Sequence, residues 1–157
     1  MLACERGRHA LLRDMLACVE DARQRCELVE CVNRFGNTAL HFAARTDLQC
    51  VQALLDCYSD DKAAARRAVL KRCRNRQTAL LYAAAAARGD VVQLLVTRFN
   101  DADLLFAVSK AGHSALMLAV ISRSTSAVLA VLNATPVDRQ RSLVIVMYDT
   151  NVGVLVD

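Results

Sequence analysis

The stretch Gly36-Asn37-Thr38-Ala39-Leu40-His41-Phe42-Ala43-Ala44 contains a turn followed directly by an amphipathic helix start. Gly36 is the residue type that best tolerates positive φ, and Thr38 can accept a hydrogen bond from a backbone N–H of the first helical turn. The pair Ala43-Ala44 lies three and four residues after Leu40, on the same helical face. The stretch therefore predicts a tight turn that leads into a helix with one buried face.

This pattern recurs along the chain at intervals of about 40 residues. Each helix start consists of a hydroxyl residue, a small residue and Leu, and a second apolar stripe at helical spacing follows it. Each unit is therefore predicted to be a turn and two antiparallel helices. In the middle unit Arg76 takes the place of Gly36, which predicts a turn that is strained or of another type. The repeated starts are Thr38-Ala39-Leu40, Thr78-Ala79-Leu80, Ser114-Ala115-Leu116 and the weaker Gly153-Val154-Leu155.

These residues resemble the ankyrin repeat, whose signature is a Gly-x-Thr-Pro/Ala-Leu-His-x-Ala-Ala turn and helix followed by a Val-x-x-Leu-Leu helix. Val51, Leu54 and Leu55 supply that second helix in the best-matching unit. The spacing exceeds the usual length of about 33 residues, so the repeats are divergent and lengthened. The resemblance implies an all-α solenoid of stacked helix-turn-helix units in one domain, 1–157. Its predicted parts are a partial repeat 1–32, full repeats 33–72, 73–108 and 109–147, and a truncated repeat or tail 148–157.

The extra length lies between the second helix of one unit and the next turn. Ser59-Asp60-Asp61 before Lys62 and Thr135-Pro136 both read as helix starts, so we expect a short additional helix at each place. The apolar tail continues the repeat register, although 143–148 and 152–156 could instead form a β hairpin. Because both ends cut a unit part-way, we expect the chain to be a piece of a longer array or to be capped by a partner.

Composition limits the fold and the compartment. The chain has 157 residues, 55% apolar but only 4% aromatic, with 5 Gly and 1 Pro, which favours closely packed helices over turn-rich β structure. No apolar run approaches the roughly 20 residues of a membrane span, so membrane insertion is not expected. The 7 Cys all lie in the first half and are predicted to be buried thiols in a reducing, cytoplasmic compartment. Delivery into a host cell stays open.

Catalytic chemistry finds no support in the sequence. The cysteines and His41 include ligand types for zinc, but no C-x2-C pair is present. The glycines are too scattered for a phosphate loop, and Cys4 and His9 would point to different faces of one helix. His41 is expected to make structural hydrogen bonds. We therefore predict no enzyme activity, catalytic residue, cofactor or metal site.

The family resemblance implies protein binding through the concave face and turn tips of the stack, as a scaffold or adaptor. An alternative is the basic run Arg66–Arg76, predicted on a helix from 62 to 73, which would suit an acidic partner or nucleic acid. Single-stranded nucleic acid is disfavoured because stacking aromatics are absent nearby. A third alternative is that the chain is a substrate-recruiting segment of a larger enzyme, or a host-directed effector. The predicted contacts are Arg34, Phe35, Asn37, Arg45, Thr46, Arg74, Asn75, Gln77, Ala85, Ala86, Lys110, Ala111, His113, Ile121 and Ser122.

Overall fold

The computed structural model describes residues 1–5, 8–59 and 61–136, and these contain eleven α helices. The predictions for 137–157, including the hairpin and the helix after Thr135-Pro136, lie outside the described residues. The helices are α1 Leu2–Glu5, α2 His9–Ala17, α3 Ala22–Glu30, α4 Ala39–Thr46, α5 Leu48–Asp56, α6 Lys62–Leu70, α7 Ala79–Ala85, α8 Gly89–Phe99, α9 Ala102–Leu105, α10 Ala115–Ile121 and α11 Thr125–Ala134.

The helices stack in rows, as an α-solenoid requires. Helices α1, α4, α7 and α10 pack in sequence to form row A, and α2, α5, α8 and α11 do the same in row B. A third set, row C, consists of α3, α6 and α9; α3 packs on α4, and α6 packs on both α7 and α9. The all-α solenoid is confirmed, and the first two full units, 33–72 and 73–108, each have a third helix after the antiparallel pair.

Row C accounts for the lengthened spacing. The predicted extra helix is present as α6, where the Asp61 side chain accepts from Ala64 N–H at 2.8 Å. It ends at Leu70, not at residue 73, because the backbone of Lys71 is extended (φ −59°, ψ 131°). Helices α3 and α9 were not predicted. The sequence nevertheless held a signal for α3, since 22–30 aligns with 62–70 in the same repeat register.

The core lies between the rows and is filled by small and branched apolar residues. Leu40, Leu80 and Leu116 are buried at equivalent positions, as predicted. Helices α8 and α11 approach so closely at Gly89 that a Cβ there would lie 2.0 Å from Ser126 Oγ and 2.9 Å from the backbone N of Ala127. This contact explains why glycine, a poor helix former, stands at the start of α8.

The cysteines are free thiols in several environments. Cys4, Cys50 and Cys73 are buried, as predicted, and burial raises the pKa of Cys50 to about 12. Cys18 and Cys31 are exposed, so the prediction of buried thiols is wrong for these two. Their positions after the last residues of α2 and α3 place them in loops, outside the helical faces that pack.

Candidate protein-interaction surface

Each full repeat begins with a hairpin turn, here called a tip, at 33–37, 73–77 and 109–113. In the first tip Asn33 N–H donates to Asn37 O at 3.0 Å, and Gly36 N–H donates to Asn33 O at 2.9 Å. The corresponding pairs in the other two tips form the same two hydrogen bonds at 2.8–3.0 Å. The three tips therefore share one backbone geometry.

The shared turn requires positive φ at its fourth residue. Gly36 and Gly112 have φ of 76° and 80°, and Arg76 has φ of 58°. The middle tip is thus the same type of turn, so the expectation of a different turn type is wrong. The alternative expectation, strain, is correct, because a non-glycine residue in the left-handed region carries a conformational cost of order 1–2 kcal/mol.

Neighbouring tips are joined through their backbones. Arg74 N–H donates to Phe35 O at 3.0 Å, and Lys110 N–H donates to Asn75 O at 2.8 Å. These bonds hold successive tips in register, so that equivalent side chains follow one another along one edge of the stack. The tips and row A together present a surface, here called the tip face. Its residues are Arg34, Phe35, Arg45, Arg74, Asn75, Arg76, Gln77, Tyr82, Ala85, Ala86, Lys110, Ala111, His113 and Ile121.

Two adjoining clefts indent the tip face, and Gln77 lines both. One, of about 340 Å³, lies between the first and middle repeats, and the other, of about 430 Å³, lies between the middle and third tips. The first is lined by Arg45, Gln77, Tyr82, Ala85 and Ala86, and the second by Asn75, Gln77, Ser109, Lys110, Ala111 and His113. Both clefts are open and shallow, which suits side chains of a partner better than an enclosed small molecule.

His41 links the first tip to the second and has the structural role that was predicted. Thr38 N–H donates to His41 Nδ1 at 3.2 Å, and the Thr38 hydroxyl lies 2.8 Å from the same nitrogen. Because Nδ1 accepts, the proton is assigned to Nε2, which donates to Gln77 O at 3.1 Å. Burial lowers the pKa of His41 and keeps the ring neutral near pH 7. The Tyr82 ring packs edge-on against it, with centroids 5.4 Å apart.

The hydroxyls at the starts of the row A helices behave differently from one another. Ser114 accepts from Met117 N–H at 3.3 Å, as predicted. The Thr78 hydroxyl does not accept from the first turn of α7, and its buried Oγ1 has no hydrogen-bond partner among the described residues. Leu81 stands where the first repeat has His41, so the middle repeat lacks the ring nitrogen that bonds Thr38.

The predicted contact residues fall into two groups. Most are exposed or half-exposed on the tip face; Phe35 is 51% exposed, with the Arg34 guanidinium 4.7 Å above its ring, and Ile121 is 62% exposed. Three others bond within the protein and contribute little to the surface. Asn37 is buried and accepts from the Tyr82 hydroxyl, Thr46 donates to Cys4 O, and Ser122 donates to Ala84 O.

The sequence prediction missed two residues of this face, Arg76 and Tyr82. Tyr82 occupies the helical position of Phe42 in the previous repeat, and both are half-buried. This equivalence was available from the repeat alignment. Arg76 was noted only for its unusual turn, although any residue at the fourth position of an exposed tip reaches solvent.

The basic run Arg66–Arg76 is divided between two places. Arg66 lies on α6 and pairs with Asp101 and, at 3.0 Å, with Asp103. Lys71 Nζ donates to Glu30 O at 3.3 Å, at the end of α3. Arg74 and Arg76 belong to the middle tip, on the tip face, and both are exposed. The run therefore supplies two cations to the tip face, while others in it bind to row C.

A family model of ankyrin repeats, in three copies, matches residues 1–104. The chain belongs to the ankyrin-repeat family. The third tip and helices α10 and α11 lie beyond the matched residues, yet they repeat the hydrogen bonds of the first two tips. The repeat architecture of this ankyrin-repeat chain therefore continues beyond the residues that the family model matches. No curated protein matches its sequence.

Solved structures similar to this ankyrin-repeat chain include one from the crystal structure of the yeast ribosomal protein Rps3 in complex with its chaperone Yar1. The sequences are 25% identical, the TM-score is 0.70, and the match covers 81% of this chain and 84% of the other. Family and structural similarity together support a role in protein–protein interaction. Within the described residues, no helix is long and apolar enough to cross a bilayer, and no three potential ligand side chains group for a metal ion.

Proposed function

We propose that the chain is a non-enzymatic adaptor or scaffold that binds a partner protein through the tip face. The observation that carries this proposal is the register of the tips. Two inter-tip hydrogen bonds fix Arg34, Arg74 and Lys110 at equivalent, exposed positions. A surface held by its backbone loses little conformational entropy on binding, which favours affinity.

Phe35 and Ile121 provide the apolar part of this surface. Both are more than half exposed, and the Arg34 guanidinium lies 4.7 Å above the Phe35 ring. A partially exposed aromatic ring next to an arginine is a typical anchor at protein interfaces. The basic run as a separate site has less support, because Arg66 and Lys71 already bond to row C. A cytoplasmic location is part of the proposal and is supported by the free cysteines.

The test is partner capture with the full chain, followed by identification of the captured protein and direct binding with that protein purified. The double variant Phe35→Ala, Arg74→Ala should lose about tenfold or more in affinity, since interface anchors typically contribute more than 1 kcal/mol. Thermal unfolding should confirm that the variant folds.

A matched control is Leu28→Ala, Arg23→Ala on α3, away from the tip face. Leu28 is 56% exposed, close to Phe35, and Arg23 is exposed like Arg74. The control should bind like the natural chain. If the tip-face variant binds as well as the control, the tip face is not the partner site, and if the α3 variant alone loses binding, the site lies on row C.

A further inference from the structure

The charges of the three full repeats are separated in space. Segments 31–46, 71–89 and 104–136 contain no Asp or Glu. They hold the tips, the row A helices of these repeats and the turns after them, together with α11 of row B. The acidic residues of these repeats that the structure describes lie on or next to rows B and C instead. The basic residues of the three segments are Arg34, Arg45, Lys71, Arg72, Arg74, Arg76, Arg88, Lys110 and Arg123.

Some of the cations on or next to rows B and C have acidic partners. Arg66 pairs with Asp101 and Asp103, and Arg98 Nη1 lies 3.7 Å from Asp56. Arg88, at the start of α8, binds both oxygens of Asp90, which lowers the pKa of that carboxyl. These cations are neutralised locally and add little to a field that a partner would sense.

The cations of the tip face are not neutralised in this way. Among the described residues, no ion pair involves Arg34, Arg45, Arg74, Arg76 or Lys110, and all five are exposed. They follow the tips in register, one or two to each repeat. A surface that carries one sign of charge along its length attracts a partner of the opposite sign and speeds its association.

Arg76 strengthens this interpretation. The first and third tips have glycine at the fourth position, where φ is positive, and the middle tip has arginine at φ 58°. This substitution costs backbone free energy and adds a fifth cation to the tip face. Strained residues concentrate at functional sites, where the surrounding structure can support them.

Apolar groups between the cations indicate the class of the partner. Phe35, Ala85, Ala111 and Ile121 are exposed on the same face. Apolar side chains of a protein would remove this surface from water, whereas a nucleic-acid backbone would bury it against phosphate and sugar. The combination therefore fits a protein segment better than a polynucleotide.

We infer that the tip face binds an acidic segment of a partner protein, in which carboxylates meet Arg34, Arg74, Arg76 and Lys110 and apolar side chains cover Phe35 and Ile121. This inference rests on the proposed function and adds the chemistry of the partner. Binding should weaken as salt rises, because the exposed charges are screened.

The test is selection of random 16-residue peptides displayed on phage against the full chain. Enriched peptides should carry a clear excess of Asp and Glu together with apolar residues. The tightest peptide, made with a fluorescent label, should lose about tenfold or more in affinity to the variant Arg34→Glu, Arg74→Glu, Lys110→Glu, because like charges then oppose each other. The variant Arg13→Glu, Arg23→Glu, Lys62→Glu has the same net charge, alters exposed sites off the tip face and should bind normally.

The remaining outcomes overturn the inference in distinguishable ways. The selected peptides could carry no acidic excess and yet lose binding to the variant Phe35→Ala, Ile121→Ala. This result would support the tip face as a binding surface but exclude an acidic partner. Equal loss in the two charge variants would show that net charge alone is sensed. Tighter binding of a 16-nucleotide oligo-dT than of the best peptide, lost in the tip-face variant, would identify nucleic acid as the occupant. Failure to enrich any peptide would count against the proposed function as well.

Discussion

The first and middle full repeats have the same tip geometry but stabilise it differently. The first has Gly36 at the positive-φ position and His41 bonded to Thr38 and to the next tip. The middle repeat has Arg76 and Leu81 at those places, so its tip is strained and Thr78 Oγ1 has no partner within the part of the chain that the structure describes. The first repeat thus keeps the glycine and the histidine of the ankyrin signature. The middle repeat lacks both, so its tip is less stable, but it gains an exposed cation.

The largest expected effect comes from making the first repeat like the middle one at His41. His41→Leu removes the acceptor of Thr38 N–H and the donor to Gln77 O inside the core. We expect the free energy of unfolding, measured by urea denaturation, to fall by about 2–3 kcal/mol, because buried polar groups lose their partners. A change below about 0.5 kcal/mol would show that the His41 link does not distinguish the two repeats.

The next effect concerns the positive-φ position, where the two repeats should respond in opposite directions. Arg76→Gly should raise the free energy of unfolding by about 0.5–1 kcal/mol, since it relieves the strain but makes the unfolded chain more flexible. Gly36→Ala should lower it by about 1–2 kcal/mol, because alanine is strained at φ 76° and its Cβ would lie 3.3 Å from Arg74 N. Thermal or urea unfolding of both variants measures this. Destabilisation by Arg76→Gly would contradict the assignment of strain.

A smaller effect on the free energy of unfolding is expected at the hydroxyls of Thr78 and Thr38. Thr78→Val keeps the shape and removes a buried hydroxyl that has no partner among the described residues, so the free energy of unfolding should stay the same or rise by up to about 1 kcal/mol. Thr38→Val removes a hydroxyl that bonds His41 and should lower it by about 1 kcal/mol. Equal losses at the two positions would mean that Thr78 is hydrogen-bonded after all.

The smallest effect is the pH dependence of the first repeat near neutrality. Because burial lowers the pKa of His41 in the folded state, the unfolded chain binds the extra proton first as pH falls through about 6.5. Stability that is present above that pH should therefore decline below it. His41→Leu should decline less over the same range, from pH 7.5 to 5.5. An identical decline in both proteins would place the titrating group elsewhere.

Much of the fold could be predicted because the repeat frame is local. The spacing of Leu40, Ala43 and Ala44 determines a helical face within two turns, and the same spacing returns at Leu80 and Leu116. Row C was less visible, since α3 has a polar composition and α9 has only four residues. Their positions depend on packing against helices that are distant in sequence.

The positions of the candidate site residues could be predicted, but the exposure and the bonding partners of each side chain could not. Asn37 occupies a tip position that is half-exposed in the neighbouring repeat, at Gln77, yet the Asn37 side chain is buried and accepts from the Tyr82 hydroxyl. Arg66 and Arg74 belong to one basic run, and only the fold shows that Arg66 meets Asp101 and Asp103. Exposure and pairing are set by contacts between residues about 35 to 45 positions apart, which the local pattern does not encode.

The most direct test of the tip face is amide hydrogen exchange of the full chain, free and bound to the peptide recovered by selection. New protection is expected in 33–46, 73–87 and 109–122, with little change in α3 and α6. Protection concentrated in α3 and α6, with the tips unchanged, would contradict this expectation and place the binding site on row C.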